Sequence, residues 1–188
     1  MRRVKERSPE TAILIDEAYL DYAHDSSVRT ARALGQEIPG VFITRSLSKA
    51  HGMAGLRVGY GIGQAETLAR ISNAWHLGSM NTLSAVAAVA SIRDSAHIAD
   101  DVAENARVRS FVVSGFRELG YDVPTPHANF VLVDLARPAA WFRDECRGRK
   151  VVVGRDFPPL EQTHSRISLG TMDEMEQAME VFRAVLRA

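Results

Sequence analysis

Residues 11–16 read Thr-Ala-Ile-Leu-Ile-Asp, and residues 40–44 read Gly-Val-Phe-Ile-Thr. Each stretch is a short apolar run without polar alternation, which is typical of a strand buried on both faces of a sheet. Breakers at Gly35 and Pro39 separate the two runs, and the glycine-dotted residues 57–63 predict a third strand. Two buried strands joined in this way predict an α/β fold.

The pattern downstream becomes helical and then mixed. Residues 65–119 are predicted to be helical with a break at residues 78–81, and Gly120 is a plausible helix stop. The remainder predicts a small α+β unit, with strands at 128–134, 150–153 and 165–169, a helix at 141–147, and a last helix capped by Asp173 that runs to about Leu186. We expect one domain over residues 1–100 and a second over residues 101–188, with the boundary inside the long helix.

Composition excludes several classes of function. The 23 basic and 23 acidic residues cancel to a net charge of +0, so we expect neither nucleic acid nor an anionic membrane as a partner. Cys146 is the single cysteine, which leaves no internal disulfide and no cysteine cluster for zinc, and the histidines lack metal-ligand spacing. Residues 83–92 are too short to span a membrane and are predicted to form a buried helix. A cytoplasmic protein without a metal is expected.

Polar side chains follow the first two predicted strands. Asp16 ends the first, and Ser46, Ser48 and Lys49 lie just beyond the second. Ligands of open α/β sheets bind outside the carboxyl ends of strands, so both groups are expected at one crevice. A lysine amine becomes nucleophilic when a nearby cation or a dry pocket lowers its pKa, and Arg57 is the candidate cation.

The same residue types suit a phosphorylated pyridine ligand. Arg57 and the two serine hydroxyls would meet a phosphate, Asp16 would pair with a protonated ring nitrogen, and Tyr19 would donate to a ring oxygen. From residue types alone, ordinary structural roles stay open. Lys49 would be a solvated lysine, Asp16 a turn residue, and Arg57 a surface ion-pair residue.

Two segments carry a resemblance to a known family. ILIDEAYLDYA (Ile13–Ala23) and TRSLSKAHGMAGLRVGYGIG (Thr44–Gly63) resemble the aspartate and lysine motifs of fold-type I aminotransferases that use pyridoxal 5′-phosphate (PLP), closest to histidinol-phosphate aminotransferases. HANFVLVDL and RISLGTMDEM extend it over nearly the whole chain. The resemblance implies the carboxyl-terminal part of the PLP-binding large domain, a mostly parallel sheet with helices, followed by a small α+β domain.

The resemblance also implies roles for individual residues. Lys49 would carry the cofactor and then shuttle the substrate proton. The implied cofactor-binding set is Asp16 at the pyridine nitrogen, Tyr19 at the ring hydroxyl, and Ser46, Ser48 and Arg57 at the phosphate. The implied substrate-binding set is Arg166, which clamps a carboxylate or phosphate, with Asn129 and Arg155 nearby. At position 51, where relatives usually have an aromatic residue, this chain has histidine.

The implied reaction moves an amino group between an amino acid or amino-alcohol phosphate and a 2-oxo acid, with a homodimer as the family's usual assembly. A decarboxylase acting on a phosphorylated amino acid is the alternative enzyme. The amino-terminal strands of the large domain and the glycine turn at the phosphate are expected to be missing from this chain. An inactive remnant that at most binds a partner is therefore the alternative from another class.

Overall fold

The computed structural model describes residues 1–25, 27–74, 80–155 and 157–187. The chain divides into two compact units, Met1–Ala99 and Asp100–Ala188, so the division falls within the long helix Ser95–Glu118. The predicted helix break includes Gly78 and Ser79, which lie outside the described residues.

Unit 1 consists of a small sheet with helices. In chain order its elements are α1 (Arg2–Arg7), β1 (Ile13–Asp16), α2 (Arg32–Glu37), β2 (Val41–Ser46), β3 (Gly59–Gly63), α3 (Ala65–Ala74), α4 (Thr82–Arg93) and the start of α5 (Ser95–Glu118). The strand order is β1-β2-β3. The three predicted strands are therefore confirmed, and the α/β class with them.

The sheet is mixed. β1 and β2 are parallel, which puts Asp16 opposite Thr44, whereas β2 and β3 are antiparallel, with Ser46 opposite Gly59. Residues 47–58 connect β2 to β3, and within this connection the structure describes a turn and one short 3₁₀ helix, Ala54–Leu56, instead of the α-helix usual in a parallel crossover. In the described sheet of unit 1, one of the two strand pairs is therefore parallel and the other is antiparallel.

Burial differs between the first two strands. Val41 and Ile43, on one face of β2, are fully buried, whereas Phe42 and Thr44 on the other face are half-buried, so the predicted burial on both faces holds for one face of β2. The prediction that β1 is buried on both faces is wrong, because Leu14 is 54% exposed and Asp16 is also exposed. Among the described residues β1 pairs only with β2, so it forms an edge of the sheet with one face open.

The helix α4 also departs from expectation. It was predicted to be buried, but Leu83, Val86 and Ile92 are exposed. Its sequence is apolar on every side, and in the described chain only the side of Ala88 packs, against a cluster of Leu47, Met53 and Val58. The Asn81 side chain caps the start of α4, and Asp94 adds a second break that was not predicted.

Unit 2 is a two-stranded antiparallel sheet with three helices on a contiguous core. After α5 it contains β4 (Phe130–Asp134), α6 (Ala139–Gly148), β5 (His164–Ser168) and α7 (Met172–Leu186). Large apolar side chains from α5, α6 and α7, including Phe116, Phe142 and Phe182, are fully buried in one cluster. Gly120, at φ 87°, follows the end of α5 as predicted.

Two predictions for unit 2 are wrong. Residues 150–153 do not form a strand: Lys150 takes a positive φ of 65° and the Val151 amide bonds back to the Cys146 carbonyl of α6. The cap of α7 is Thr171 instead of Asp173, because its hydroxyl accepts from the Glu174 amide while the Glu174 side chain accepts from the Thr171 amide. In the part of the chain that the structure describes, no helix combines the length and apolarity needed to cross a membrane.

Candidate active site

Asp16 occupies the carboxyl end of β1. Its Oδ1 accepts a hydrogen bond from the Ala18 amide at 3.1 Å and from the Thr44 hydroxyl at 3.2 Å. Thr44 reaches it because the two residues are in register across β1 and β2. The carboxylate is exposed yet oriented, and it keeps free acceptor capacity on its second oxygen. Sequence reasoning did not include Thr44, although the expected pairing of two strand ends could have found it.

Lys49 lies in the turn that joins β2 to β3. The Lys49 carbonyl accepts from the Gly52 amide at 2.8 Å, and the Leu47 carbonyl accepts from the Met53 amide at 2.9 Å. The Ser46 hydroxyl accepts from the Ser48 amide at 3.1 Å. These local bonds fix the backbone on both sides of Lys49, so its side chain starts from a well-defined point.

The Lys49 side chain meets Tyr19. Its Nζ lies 5.0 Å from the centre of the Tyr19 ring, a cation–π distance. Both residues are half-buried. Tyr19 follows the end of β1 by three residues, so this contact brings together the polar groups that follow the first two strands, as the sequence predicted.

Arg57 lies where the turn enters β3. Its backbone is left-handed, at φ 55° and ψ 50°, and its Nη1 donates to the Ala54 carbonyl at 3.1 Å. The Leu47 amide donates to the neighbouring Val58 carbonyl at 3.0 Å, which places the Arg57 backbone close to the turn that bears Lys49. The guanidinium is exposed, so four of its five N–H donors are available to an anion.

A buried ion pair supports the end of β1. The carboxylate of Glu17, only 8% exposed, accepts from the Thr30 hydroxyl at 2.9 Å and from the Arg45 Nε at 3.0 Å. Burial alone would lower the pKa of Arg45, but hydrogen bonds to Tyr60 and Glu17 raise it above its ordinary value. This brace holds β1, β2 and the segment before α2 together. Sequence reasoning missed it, because Glu17 beside Asp16 carries no sign of its burial.

Two arginines of unit 2 share one aromatic neighbour. The Arg166 guanidinium carbon lies 4.1 Å from the centre of the Phe130 ring and 5.2 Å from that of Phe157, and the Arg155 guanidinium carbon lies 5.1 Å from Phe157. The Gly154 amide donates to the Arg166 carbonyl at 2.9 Å, which brings the two segments together. The structure therefore groups Arg155 with Arg166, and it adds Phe130 and Phe157, which were not predicted.

Asn129 directly precedes β4. Its carbonyl accepts from the Leu169 amide at 2.9 Å, just beyond the end of β5. The buried Arg109 of α5 donates to the Ala128 carbonyl at 3.3 Å, and burial lowers the pKa of this guanidinium. Asn129 is thus held at the same end of the small sheet as Gly170. The roles of Asn129, Arg155 and Arg166 in substrate binding stay predictions.

The described side chains show no group of three or more His, Cys, Asp or Glu residues that could hold a metal ion. Cys146 is fully buried in the core of unit 2, as predicted, and burial raises the pKa of its thiol to about 12.

Comparison with known proteins shows the family of this chain. The sequence profile of the family described as aminotransferase class I and II matches residues 1–182. The chain belongs to this family. The histidinol-phosphate aminotransferase of Symbiobacterium thermophilum is 34% identical over 178 residues, which cover 95% of this chain and 49% of that protein.

Solved structures of the aminotransferase family share the fold. A putative histidinol-phosphate aminotransferase from Erwinia carotovora atroseptica superposes with a TM-score of 0.92 at 28% identity, covering 98% of this chain and 53% of that one. The histidinol-phosphate aminotransferase of Sinorhizobium meliloti, solved in complex with pyridoxal-5′-phosphate, gives a TM-score of 0.85 at 23% identity, with 99% and 52% covered. The chain spans about half the length of the relatives it matches.

Proposed function

We propose that this chain supplies the lysine-bearing part of the active site of a PLP-dependent aminotransferase. The observation that carries the proposal is the contact between Lys49 Nζ and the Tyr19 ring, with Asp16 fixed at the end of the neighbouring strand. Membership of the aminotransferase family supports it. Its assignment to the cytoplasm and to a homodimer is part of the same proposal.

The donor set fits the cofactor. Asp16 is an oriented carboxylate with a free oxygen for a protonated ring nitrogen, and Tyr19 offers a phenol beside the lysine. Ser46, Ser48 and Arg57 offer hydroxyls and a guanidinium to a phosphate. When bound, PLP supplies an electron sink that stabilises the carbanion left after proton loss from the α-carbon of an amino acid.

Lys49 is assigned two tasks. Its amine would hold the cofactor until the amine of the substrate replaces it, and Nζ, once free, would take the proton from the α-carbon of the amino donor. The turn bonds at Gly52 and Met53 fix the backbone from which this side chain reaches. An amine that is already positioned loses little conformational entropy when it reaches the proton, and this lowers the activation barrier of the proton transfer.

The substrates are proposed to be an amino acid or an amino-alcohol phosphate such as histidinol phosphate, with a 2-oxo acid as the acceptor. Relatives named for histidinol phosphate support this choice. In unit 2, Arg166 and Arg155 share the Phe157 ring, and two guanidinium groups held close together favour an anionic group such as a carboxylate or a phosphate.

A labelling experiment tests the cofactor assignment. The chain contains three lysines, Lys5, Lys49 and Lys150, so reduction of a PLP-treated sample with borohydride followed by peptide mapping identifies the attachment site. We expect the label on Lys49 and its loss in Lys49→Ala. Lys150→Gly is the matched control, because Lys150 has a positive φ that glycine tolerates. A label spread over all three lysines would contradict the proposal.

Product analysis tests the reaction itself. With histidinol phosphate and a 2-oxo acid, amino transfer yields a new oxo compound and a new amino acid. Carbon dioxide released from a phosphorylated amino acid would instead favour the decarboxylase. If Lys49 is labelled and no product of either kind forms, the chain binds the cofactor without turnover.

A further inference from the structure

His51 and Ser91 form a contact that the proposed chemistry does not use. His51 is half-buried in the turn that bears Lys49, two residues after the lysine, and Ser91 lies near the end of α4. The His51 Nδ1 is 2.8 Å from the Ser91 Oγ, a hydrogen-bond distance. The contact joins two segments that are 40 residues apart.

The backbone of the turn links His51 tightly to Lys49. Gly52, the next residue, donates its amide to the Lys49 carbonyl, and Met53 donates to the Leu47 carbonyl. His51 therefore lies inside the ring closed by the first of these bonds. A displacement of His51 would have to strain or break the hydrogen bond from the Gly52 amide to the Lys49 carbonyl. It would also move the backbone from which the Lys49 side chain extends.

Apolar packing holds the same turn against α4 but does not fix its position along the helix. Leu47, Met53 and Val58 pack with the buried Ala88, and the partly buried Ala87 packs against the same cluster. Burial of apolar area is non-directional, and small alanine side chains do not interlock with the turn. Apolar packing alone would therefore allow the turn to shift along α4. A hydrogen bond has a preferred length and angle, so the His51–Ser91 contact selects one register between the turn and α4.

We infer that His51 is a positioning residue for Lys49, acting through its hydrogen bond to Ser91. This inference rests on the proposed role of Lys49. A neutral imidazole donates or accepts at Nδ1 according to its tautomer, a protonated one donates, and the serine hydroxyl can do either. The contact therefore persists in each state of the ring, and it anchors the turn that bears Lys49 to α4.

Hydrogen–deuterium exchange of the full chain tests whether the contact holds the turn. His51→Phe keeps an aromatic ring and removes the hydrogen bond, whereas His51→Asn removes the ring and keeps a polar atom at the place of Nδ1. We expect the Gly52 and Met53 amides to exchange about fivefold faster in His51→Phe and in Ser91→Ala, the effect of one lost hydrogen bond. His51→Asn should restore slow exchange. The double variant His51→Phe/Ser91→Ala should exchange little faster than either single variant, because both changes remove the same hydrogen bond.

Ser110→Ala is the matched control, because it removes a serine hydroxyl hydrogen bond, to the Ala106 carbonyl, from a different helix. It should leave exchange at Gly52 and Met53 unchanged. Wild-type exchange in His51→Phe would overturn the inference, and so would equal acceleration in His51→Phe and His51→Asn, which would point to ring packing instead of the hydrogen bond.

The rate at which PLP and borohydride label Lys49 separates positioning from a purely structural role. We expect labelling to slow by about fivefold in His51→Phe and Ser91→Ala and to recover in His51→Asn. Faster exchange with unchanged labelling would overturn the positioning role. A wild-type chain that is not labelled at Lys49 would contradict the proposed function itself, which distinguishes the two failures.

Discussion

Glu17 and Asp16 are adjacent in sequence but lie in opposite environments. Asp16 is exposed at the end of β1, whereas the Glu17 carboxylate is buried among donors from Thr30, Ala31 and Arg45. One carboxylate is left available to a ligand, and its neighbour is committed to the fold. A backbone that alternates its side chains between two faces produces this division.

We expect Glu17→Gln to lower the free energy of unfolding by about 2 kcal/mol, since it leaves Arg45 with a poorer partner in a buried site. The urea midpoint of the variant measures this loss. Glu37→Gln is the control: its salt bridge with Arg2 joins side chains that are 56% and 63% exposed, and such pairs contribute about 0.5 kcal/mol or less. Equal losses in the two variants would contradict the importance of burial.

The buried thiol of Cys146 makes stability depend on pH. Burial raises its pKa from 9.0 to about 12, so the folded state holds the proton more tightly than the unfolded state does. The stabilisation is complete below pH 9.0 and is lost as the pH rises towards 12. We expect the stability difference between wild type and Cys146→Ala to shrink across this window in urea unfolding. A difference that stays constant would show that the thiol does not titrate as described.

At the residue scale, the sequence predicted candidate ligand-binding groups more readily than the residues that hold them in place. Asp16, Tyr19 and Lys49 stand out because their types and spacing suit a ligand. The structure brings Lys49 into contact with Tyr19 and fixes Asp16 at the end of β1, and their roles stay predictions. Thr44 and Glu17 were not predicted, because the partners of both residues are distant in sequence. Their importance depends on strand register and burial, which a local pattern does not encode.

The elements of unit 2 end at recognisable signals, and α7 shows how one of them was misread. Both Thr171 and Asp173 are good capping residues, and the sequence alone favoured the aspartate. The structure selects Thr171 because a glutamate three residues later completes a reciprocal capping box. Asp173 then lies in the first turn, where a negative charge is also favourable.

Thr171→Ala should lower stability by about 1 kcal/mol through loss of the cap. Thermal or urea unfolding of the variant measures the effect. Thr125→Ala is the control, because Thr125 is exposed in the irregular segment before β4. A loss as large in Thr125→Ala as in Thr171→Ala would mean that the cap is not the cause.

The segment after α6 approaches β5 closely at Gly154. A Cβ at this position would lie 2.5 Å from the Arg166 carbonyl oxygen, a distance that real Cβ atoms do not tolerate. The same approach sets Arg155 beside Arg166. The sequence predicted a strand here because Val151, Val152 and Val153 are β-branched, but the turn at Lys150 directs the segment away from regular pairing.

We expect Gly154→Ala to destabilise the chain by roughly 1–3 kcal/mol, because the backbone must shift to relieve the overlap. Gly148→Ala is the matched control, since it adds a methyl group at the end of α6 with nothing within 4 Å. Urea unfolding should therefore show a clear loss of stability in Gly154→Ala and no loss in Gly148→Ala, which should be neutral or slightly stabilising. Similar destabilisation in both would contradict the close approach at Arg166.

On the scale of the whole molecule, the two units differ in how much core they contain. Unit 2 buries a contiguous cluster that includes three phenylalanines, whereas the second cluster, in unit 1, is limited to Leu47, Met53, Val58 and Ala88. The α/β class, the three strands of unit 1 and most elements of unit 2 could be predicted from periodicity, whereas α2, the break at Asp94 and the irregular residues 150–153 were not predicted. The open face of β1 and the exposed side of α4 could not be predicted. An apolar sequence indicates burial but does not indicate which residues cover it.

We expect a fragment beginning at Ser95 and running to the carboxyl terminus to fold by itself, because it contains all of α5 and the whole core of unit 2. A cooperative urea transition monitored by circular dichroism would show this. Phe116→Ala in the same fragment should cost about 3–5 kcal/mol. A fragment without a cooperative transition would contradict the independence of unit 2.

The enclosure of Cys146 has a practical consequence for probing this molecule. The single native thiol is fully buried and stays protonated at the pH of ordinary labelling reactions. We therefore expect that it does not react with maleimides or thiol-directed spin labels in the folded chain. A cysteine introduced at Leu83, which is 77% exposed on α4, becomes the reactive thiol without removal of the native one. The signal of a fluorophore or spin label attached at this position would change when another protein segment or a partner covers α4.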